Sequence, residues 1–322
     1  MADSKTSPWR GGFLGGDSLL FITALIWGFA FVAQRVGMDH VGPYAFNAAR
    51  YLLGALSLLP LLFFLPKSLR DSPTSGEGGS SGASTKRLGG LLPPLVAGAC
   101  MFLGATFQQV GLVTTTAGNA AFITSLYVVL VPILGSVFGR KAGLIDWTAS
   151  LVAIVGLWFI TVREDFVIAP GDLLVLFGAF FWALHILVIG RFSTRYDPIK
   201  LSIGQFTVAG VLSLIISLAT EKTSVTGLSA SLVPILYGGV ASCGVAFTLQ
   251  IFGQRKARPS HASIILALEG LFGAIGGILL LGEPATFGIL LGGALMILAA
   301  ILPQIAALPR RAGLRSGSIG GK

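Results

Sequence analysis

Charged residues are scarce in this 322-residue sequence, in which Asp, Glu, Lys and Arg together make up only 11% of the chain. A soluble domain averages about 25% charged residues. So low a share excludes an ordinary water-soluble domain. The remainder is 54% hydrophobic, contains 44 glycines and has a mean hydropathy of +0.85. This composition is typical of an all-α polytopic membrane protein.

Residues and motifs for metal, redox or nucleotide chemistry are also few. The chain has two cysteines and three histidines, and Cys100 and Cys243 lie in separate apolar segments without a CxxC pair. It contains no GxxxxGK[ST], HExxH or GxSxG motif. The net charge of +9 is scattered over loop ends without a basic stripe interleaved with aromatics. We predict no cofactor, no metal site, no nucleic-acid partner and no enzymatic activity.

Long apolar segments fill most of the sequence. Because a bilayer core about 30 Å thick needs roughly 20 residues of α-helix, the pattern predicts ten transmembrane helices embedded in the lipid bilayer. The predicted spans are 18–37, 43–65, 91–113, 117–138, 144–162, 171–190, 198–219, 229–252, 260–281 and 286–307.

Basic residues alternate sharply between the two sides of these spans. The N-terminus, the loops after even-numbered helices and the C-terminus carry 18 Lys and Arg residues, whereas the loops after odd-numbered helices carry only Arg163 and Lys222. Cytoplasmic loops are enriched in Lys and Arg. We therefore predict an integral protein of the bacterial inner (plasma) membrane with both termini in the cytoplasm.

The sequence contains an internal repeat with two characteristic spacings. The longer repeat spacing is 155 residues. It relates Trp27 to Trp182 and Asp17 to Asp172, in the similar segments "DSLLFITALIWG" and "DLLVLFGAFFWA". The shorter repeat spacing is 142 residues and relates Gln108 to Gln250, Gly111 to Gly253 and Ala120 to Ala262. A Ser/Gly-rich linker that only the first half contains accounts for the difference of 13 residues between the two spacings.

Each copy of the repeat contains five helices. Five is an odd number, so the second copy enters the membrane from the opposite face, as in many secondary transporters. The predicted units are a cytoplasmic tail (1–16), a first five-helix repeat (17–163) with a flexible cytoplasmic linker (66–90), a second five-helix repeat (164–308) and a cytoplasmic tail (309–322).

Three segments resemble the EamA family of the drug/metabolite transporter superfamily. They read "IWGFAFVAQRVGMDHVGPYAFNAARYLLGAL", "TTAGNAAFITSLYVVLVPIL" and "ALEGLFGAIGGILLLGEPATFGILLGGALMILAAIL". The resemblance covers both halves and implies ten helices in two EamA units, secondary transport and commonly export of amino acids or other small metabolites. It also implies a midplane site built from helices one, three and four and their counterparts six, eight and nine. One departure is that "LGE", Leu281 to Glu283, is replaced by "FGR", Phe138 to Arg140, in the first half.

Glu269 is the most unusual residue of the apolar segments. It lies about 13 Å from the start of helix nine, where a charged acid costs about 2.5–3.5 kcal/mol. It should therefore face the interior as a proton carrier or as a ligand for a substrate amine, or else tie two helices together by hydrogen bonds. Gly273 and Gly277 in the following turns leave a groove that admits a substrate or another helix.

Arg50 and two tryptophans are further candidates for contact with substrate. Arg50 lies about 10 Å deep in helix two and suits a carboxylate, although a structural bond to helix-end carbonyls would also explain it. Trp27 and Trp182 are related by the repeat and lie near mid-membrane rather than in the interfacial belt. They either flank a central cavity or simply pack between helices.

Four more polar residues complete the predicted pathway. His185 could relay protons or be a hydrogen-bonded bystander. Tyr127 occupies the position that the shorter repeat spacing relates to Glu269. Gln109 and Asn119 flank the turn between helices three and four, where they line a mouth or cap helix ends.

Helix packing supplies the remaining predictions. Pro132 frees a backbone carbonyl and marks a bend in helix four that suits a gating element. Gly288 and Gly292 in helix ten could support a homodimer.

The preferred interpretation is a secondary active transporter that moves a small metabolite or amino acid, by export, through alternating access driven by a proton or solute gradient. The alternative is an intramembrane enzyme or lipid-handling protein that uses Glu269 and His185 as acid and base.

Overall fold

The computed structural model describes residues 15–66, 83–139, 142–161, 169–282 and 284–316, and in this part of the chain every regular element is a helix. Fourteen helices and one π-helix follow in chain order. They are α1 (Gly16–Gly37), α2 (Pro43–Phe64), α3 (Ala83–Gly111), α4 (Ala117–Ser125), α5 (Tyr127–Val137), α6 (Leu144–Thr161), α7 (Pro170–Phe192), α8 (Pro198–Thr220), α9 (Val225–Ala230), α10 (Leu232–Leu236), the π-helix (Tyr237–Phe247), α11 (Thr248–Gln254), α12 (Pro259–Leu266), α13 (Glu269–Leu281) and α14 (Phe287–Ser316).

The all-helical membrane fold predicted from composition is confirmed. Among the described residues, eight helical segments are long and apolar enough to cross a bilayer. Two shorter apolar helices, 144–160 and 287–303, lie where the fifth and tenth spans were predicted. Large apolar side chains such as Phe63, Leu218 and Phe287 stand exposed on the outside of the bundle. They cover the surface that faces lipid, since lipid is the solvent that tolerates such a surface.

The helix contacts follow the internal repeat. Helix α2 packs against its counterpart α8, and α6 packs against its counterpart α14. Helix α3 packs against α7, and the equivalent pair formed by the π-helix, α11 and α1 also packs together. Exchanging the two halves therefore reproduces the contact pattern, as an approximate two-fold axis requires.

Proline sets the start of several helices. Pro43, Pro170, Pro198 and Pro259 each occupy the first helical turn, where the missing N–H costs nothing. At α8, the Asp197 side chain accepts a hydrogen bond from the Ile199 N–H at 2.9 Å. These signals explain why the predicted starts of all four helices agree with the structure to within one residue.

Two predicted helices are broken at equivalent positions. Span 117–138 is divided at Leu126, and span 260–281 is divided before Glu269, at Ala267 and Leu268. The shorter repeat spacing relates Leu126 to Leu268, so the two breaks are equivalent. Each break is a tight turn, with Leu126 N–H donating to Ile123 and Leu268 N–H to Ile265. Helices α5 and α13 consequently begin in the middle of the bundle, at Tyr127 and Glu269.

The π-helix accommodates one inserted residue. Near its start, Gly239 packs on Leu53, as Gly98 of α3 packs on Val208, and the longer repeat spacing relates Leu53 to Val208. Beyond it, Gly111 packs on Gly171 and Gly253 on Gly16, and the longer spacing relates these partners too. Gly239 lies 141 residues after Gly98, whereas Gly253 lies 142 residues after Gly111. The second half therefore contains one extra residue between Gly239 and Gly253. A π-helical turn closes over one more residue than an α-helical turn, and the extra residue therefore resides in Tyr237–Phe247.

Small residues and Pro132 contribute to packing. A Cβ on Gly273 would lie 2.9 Å from the Ala121 Cβ, so the glycine face of α13 is occupied by helix contacts rather than open. Gly277 is buried in the same helix. Gly292 packs on the Gly156 carbonyl of α6, and so serves an intramolecular contact. Pro132 cannot bond the Val128 carbonyl, which instead accepts from the buried Ser150 hydroxyl at 3.1 Å.

The linker prediction falls mainly outside the described residues, because 67–82 are not among them. Helix α3 begins at Ala83, within the segment predicted as linker, and its apolar part begins at Gly90. Glu283, Arg140, residues 1–14 of the N-terminal tail and residues 317–322 of the C-terminal tail also lie outside the described residues, and α14 continues into the predicted tail as far as Ser316.

Candidate functional site

A cavity lies inside the bundle between the two halves, and the space not filled by protein atoms there, including its opening, is about 460 Å³. No lining residue is more than 9% exposed. The lining comes from nine helical segments: α1, α2, α3, α4, α5, α7, the π-helix, α11 and α13. Its members are Trp27, Ala30, Phe31, Gln34, Arg50, Tyr51, Gln108, Thr124, Tyr127, Trp182, His185, Ile186, Ser242, Phe247, Gln250 and Glu269.

Arg50 lines this cavity from α2. Its Nε donates to Asn47 Oδ1 at 2.9 Å and its Nη2 to the Tyr51 hydroxyl at 3.1 Å, while the guanidinium lies 4.6 Å from the Tyr51 ring centre. Within the described part of the chain, Nη1 has no hydrogen-bond partner and no carboxylate pairs with Arg50. A buried guanidinium with a free edge suits a ligand carboxylate.

Glu269 and Tyr127 lie beside one another in the cavity lining, at the two helix breaks. Each is the first residue of its helix after the break, and the two side chains interact electrostatically. Neither the Tyr127 hydroxyl nor Glu269 Oε1 has a hydrogen bond of good geometry to a described residue, and Glu269 forms no ion pair with one. The start of a helix favours negative charge, which helps hold a carboxylate at this depth.

Aromatic rings form one wall. The Phe247 ring lies 4.4 Å from the Trp27 ring and 5.8 Å from the Trp182 ring, measured between centroids. The two tryptophans therefore line the cavity and pack on the same Phe247 ring. Such a wall offers a flat apolar surface to an organic solute.

His185 has a partner that its sequence position did not reveal. Its Nε2 lies 2.9 Å from Gln205 Oε1, and Gln205 is the repeat counterpart of Arg50. His185 and Glu269 line the same cavity, and no hydrogen bond joins them within the described residues. Nor do the described residues bring together three His, Cys, Asp or Glu side chains that could hold a metal ion.

Two predicted residues lie outside the cavity. Gln109 is buried and donates to the Gln34 carbonyl at 3.4 Å. The backbone N–H of Asn119 donates to Thr116 Oγ1 at 3.1 Å, so the side chain that caps α4 is that of Thr116 rather than Asn119.

A polar network that sequence reasoning did not assemble joins four lining residues. Gln108 Nε2 donates to Gln34 Oε1 at 3.1 Å, and Trp182 Nε1 donates to Gln108 Oε1 at 2.7 Å. Thr124 Oγ1 lies 3.5 Å from the same Gln108 oxygen. In the sequence, the repeat relation marked Gln108 and Gln250. Nothing in the sequence marked three other cavity residues, which are Tyr51, Ser242 and Phe247.

Two like helical halves around a buried polar cavity are the architecture of many membrane transporters. The EamA-like transporter family matches residues 14–162 and 169–303. An uncharacterized transporter of Archaeoglobus fulgidus is 32% identical over 91% of this chain and 86% of its own length. The chain belongs to the EamA-like transporter family.

More distant similarities agree with this membership. A Bacillus subtilis protein named uncharacterized transporter YoaV is 25% identical over 89% of this chain and 95% of its own length. A WAT1-related chloroplastic protein of Arabidopsis thaliana is 26% identical over 90% of this chain and 71% of its own length. A solved crystal structure with 17% identity superposes with a TM-score of 0.71, covering 92% of this chain and 98% of the other, and so shares the fold.

Proposed function

We propose that the chain is a secondary transporter that exports a small zwitterionic metabolite of the amino-acid type by alternating access. The observation that carries this proposal is the central cavity, which both halves line and which holds a buried guanidinium (Arg50) and a buried carboxyl group (Glu269) without ion-pair partners among the described residues. A solute carboxylate would bind Arg50 and a solute amine would bind Glu269. An unpaired charge inside a membrane is costly, so a bound zwitterion stabilises both groups at once.

Flux measurements test this function directly. Purified protein in sealed proteoliposomes should move at least one member of a panel of amino acids and small carboxylates, with and without a pH gradient. Movement of none, together with covalent conversion of any panel compound, would instead favour the intramembrane enzyme.

Glu269 is proposed to carry the coupling proton. The Glu269→Gln variant resembles the neutral acid at all pH values and cannot bind or release a proton. We therefore expect it to exchange labelled solute across the membrane while losing at least tenfold of the accumulation driven by a pH gradient.

Asp146→Asn provides the matched control, because Asp146 is a buried carboxylate outside the cavity that accepts from the Gly143 N–H at 2.9 Å. It should retain gradient-driven accumulation. Unchanged accumulation in Glu269→Gln would show that Glu269 is structural and that another group or ion couples transport.

The membrane orientation and oligomeric state belong to the same proposal. With both termini in the cytoplasm of a bacterium, the thiols of Ser4→Cys and Ser318→Cys should resist a membrane-impermeant maleimide added to intact cells. Labelling of either thiol from outside would contradict the proposed orientation. The mass of the detergent-purified protein would decide between a monomer and a homodimer.

A further inference from the structure

The cavity contains two tryptophan–glutamine pairs that the internal repeat relates to each other. Trp182 and Gln108 form the first pair, and Trp27 and Gln250 are their repeat counterparts and form the second. All four side chains line the cavity, and none is more than 9% exposed. If the halves were equivalent, the two pairs would have the same hydrogen bonds.

The first pair is closed, meaning that its tryptophan and glutamine are hydrogen-bonded to each other. The Trp182 N–H donates to the Gln108 oxygen at 2.7 Å, and the Gln108 amide nitrogen donates to Gln34 Oε1 at 3.1 Å. The oxygen and nitrogen of the Gln108 amide are thus both satisfied by the chain itself. This pair is a structural bridge between α3, α7 and α1.

The second pair is open, meaning that no hydrogen bond joins Trp27 to Gln250. The Trp27 Nε1 and both polar atoms of the Gln250 amide are buried without a hydrogen-bond partner among the described residues. Native proteins leave few buried polar groups unsatisfied, because such groups have lost water and gained nothing in return. A whole unsatisfied amide in the wall of a cavity indicates that its partner comes from outside the chain.

The difference between the pairs has a cause in the sequence. Gly104, below the Trp182 indole, would place a Cβ only 3.1 Å from the ring atoms Cδ2 and Cε2. Its counterpart in the second half is Ala246, which carries that methyl group. The correspondence is structural as well: Gly178 packs on the Gly104 carbonyl, and its counterpart Thr23 donates to the Ala246 carbonyl at 3.0 Å.

An indole placed over Ala246 as the Trp182 indole lies over Gly104 would come within about 3.1 Å of the Ala246 methyl group, so Trp27 would have to shift from that position. Trp27 packs instead on Phe247, with 4.4 Å between the ring centres. We attribute the open pair to this difference between Gly104 and Ala246.

We propose that Gln250 binds the transported solute through its side-chain amide, with the Trp27 N–H beside it, whereas Gln108 does not. The Gln250 amide presents both a donor and an acceptor, and Trp27 adds a donor. A solute group with N–H next to C=O, such as a carboxamide, complements this set. The inference rests on the proposed transport function and adds to it a preference for amide-bearing solutes.

The test compares solutes of similar shape in proteoliposomes. The probes are L-glutamine and L-norleucine, which share the amino-acid carboxylate and amine but differ in the side-chain amide. We expect wild-type protein to take up glutamine with at least tenfold higher apparent affinity, because an apolar competitor leaves the buried Gln250 amide unpaired. Gln250→Leu should abolish the difference or invert it.

Gln108→Leu is the matched variant. It should lower the melting temperature, because it strands the Trp182 N–H and the Gln34 oxygen, while the glutamine-to-norleucine ratio stays as in wild type. Loss of the ratio in Gln108→Leu but not in Gln250→Leu would overturn the assignment of the two glutamines.

Ala246→Gly tests the cause without removing either polar side chain. It should let the Trp27 indole reach Gln250 and close the second pair, which lowers the glutamine preference several-fold. Adding Trp27→Phe to Ala246→Gly removes the competing N–H and should restore part of that preference, because Gln250 is available again but the Trp27 donor is lost. An unchanged ratio in Ala246→Gly would show that the methyl group does not keep the pair open.

The outcomes separate this inference from the proposed function. Equal affinity for both probes in wild type and in Gln250→Leu would overturn the role of Gln250 while leaving transport established. Failure of wild-type protein to move any amino acid would overturn the proposed function and this inference with it.

Discussion

At the residue scale, Arg50 differs from its repeat counterpart in a way that bears on binding. Gln205, the counterpart, bonds His185 inside the chain, whereas Arg50 has a guanidinium edge without a described partner. Asn47 and Tyr51 fix the other two nitrogens, so the free edge is held in one orientation. A fixed planar donor group is well suited to a carboxylate.

Replacing Arg50 should therefore remove carboxylate recognition. We expect Arg50→Gln to weaken binding of a transported amino acid at least tenfold, because the lost charge-assisted hydrogen bond is worth about 1.5–3 kcal/mol. Arg50→Lys should not restore binding, since an ammonium cannot bond Asn47, Tyr51 and a ligand with the same geometry. The measurement is the apparent Kd from ligand-dependent melting shifts.

Arg35→Gln is the control for Arg50, because Arg35 is an exposed residue whose ion pair with Asp39 contributes little. It should bind as wild type does. If Arg50→Gln also binds normally, the guanidinium is structural and the carboxylate lies elsewhere.

Which residues the sequence could identify depends on how strongly the membrane disfavours them. Arg50, Glu269 and His185 stand out in apolar helices because charge and strong polarity are costly there. Gln108 and Gln109 are adjacent, yet only Gln108 lines the cavity. Neighbouring helix positions point about 100° apart, and the sequence does not determine the rotation of a helix that finely.

At the element scale, hydropathy sufficed for the membrane helices but not for their irregularities. The breaks at Leu126 and Leu268 contain neither Gly nor Pro, so no local signal predicts them. They follow from tertiary contact: the Ser125 hydroxyl at one break lies 3.4 Å from the Ala267 carbonyl at the other. Pro132, which does carry a local signal, lies beyond its break and within α5.

The π-helix yields a prediction about a deletion. Removing Val240, whose side chain is 43% exposed on the outside of the bundle, takes away the inserted residue. The segment between Gly239 and Thr248 would then have the length of its counterpart from Gly98 to Thr106. We expect an ordinary α-helix with a melting temperature within a few degrees of wild type.

Deletion of Ala99, the counterpart of Val240 in α3, is the matched control. Helix α3 has no residue to spare, so this deletion rotates Gly98 away from Val208 and should prevent stable folding. Size-exclusion profiles and melting curves of both variants in detergent give the comparison. Equal damage from the two deletions would contradict the insertion account of the π-helix.

At the scale of the whole molecule, the two halves are tied together at both ends of the bundle. At the end with the α1–α2 loop, Glu221 from the second half accepts from the Tyr44 and Ala45 N–H groups at 3.0 and 2.7 Å. It thereby caps α2, whose own N-cap is a glycine without a side chain to do so. At the opposite end, His261 Nε2 lies 3.0 Å from Asp17 Oδ1. Alternating access requires these two ends to separate in turn.

Loosening one end should therefore expose the cavity to that side. In a background without native cysteines, Ala30→Cys places a thiol in the cavity wall, where Ala30 is 2% exposed. Adding Glu221→Ala removes the cap on α2, which costs about 0.5–2 kcal/mol and shifts the population toward opening at that end. An impermeant maleimide should then label the introduced thiol several-fold faster from one face of the vesicle.

His261→Gln should accelerate labelling from the other face, because it weakens the contact with Asp17 at the opposite end of the bundle. Asp39→Ala is the control, since Asp39 is an exposed acid at the same end as Glu221 and pairs with Arg35 of its own half. A gain from the same face in both Glu221→Ala and His261→Gln would mean that the two contacts do not act at separate ends. The cavity would then open to one side of the membrane only, which contradicts alternating access through two gates.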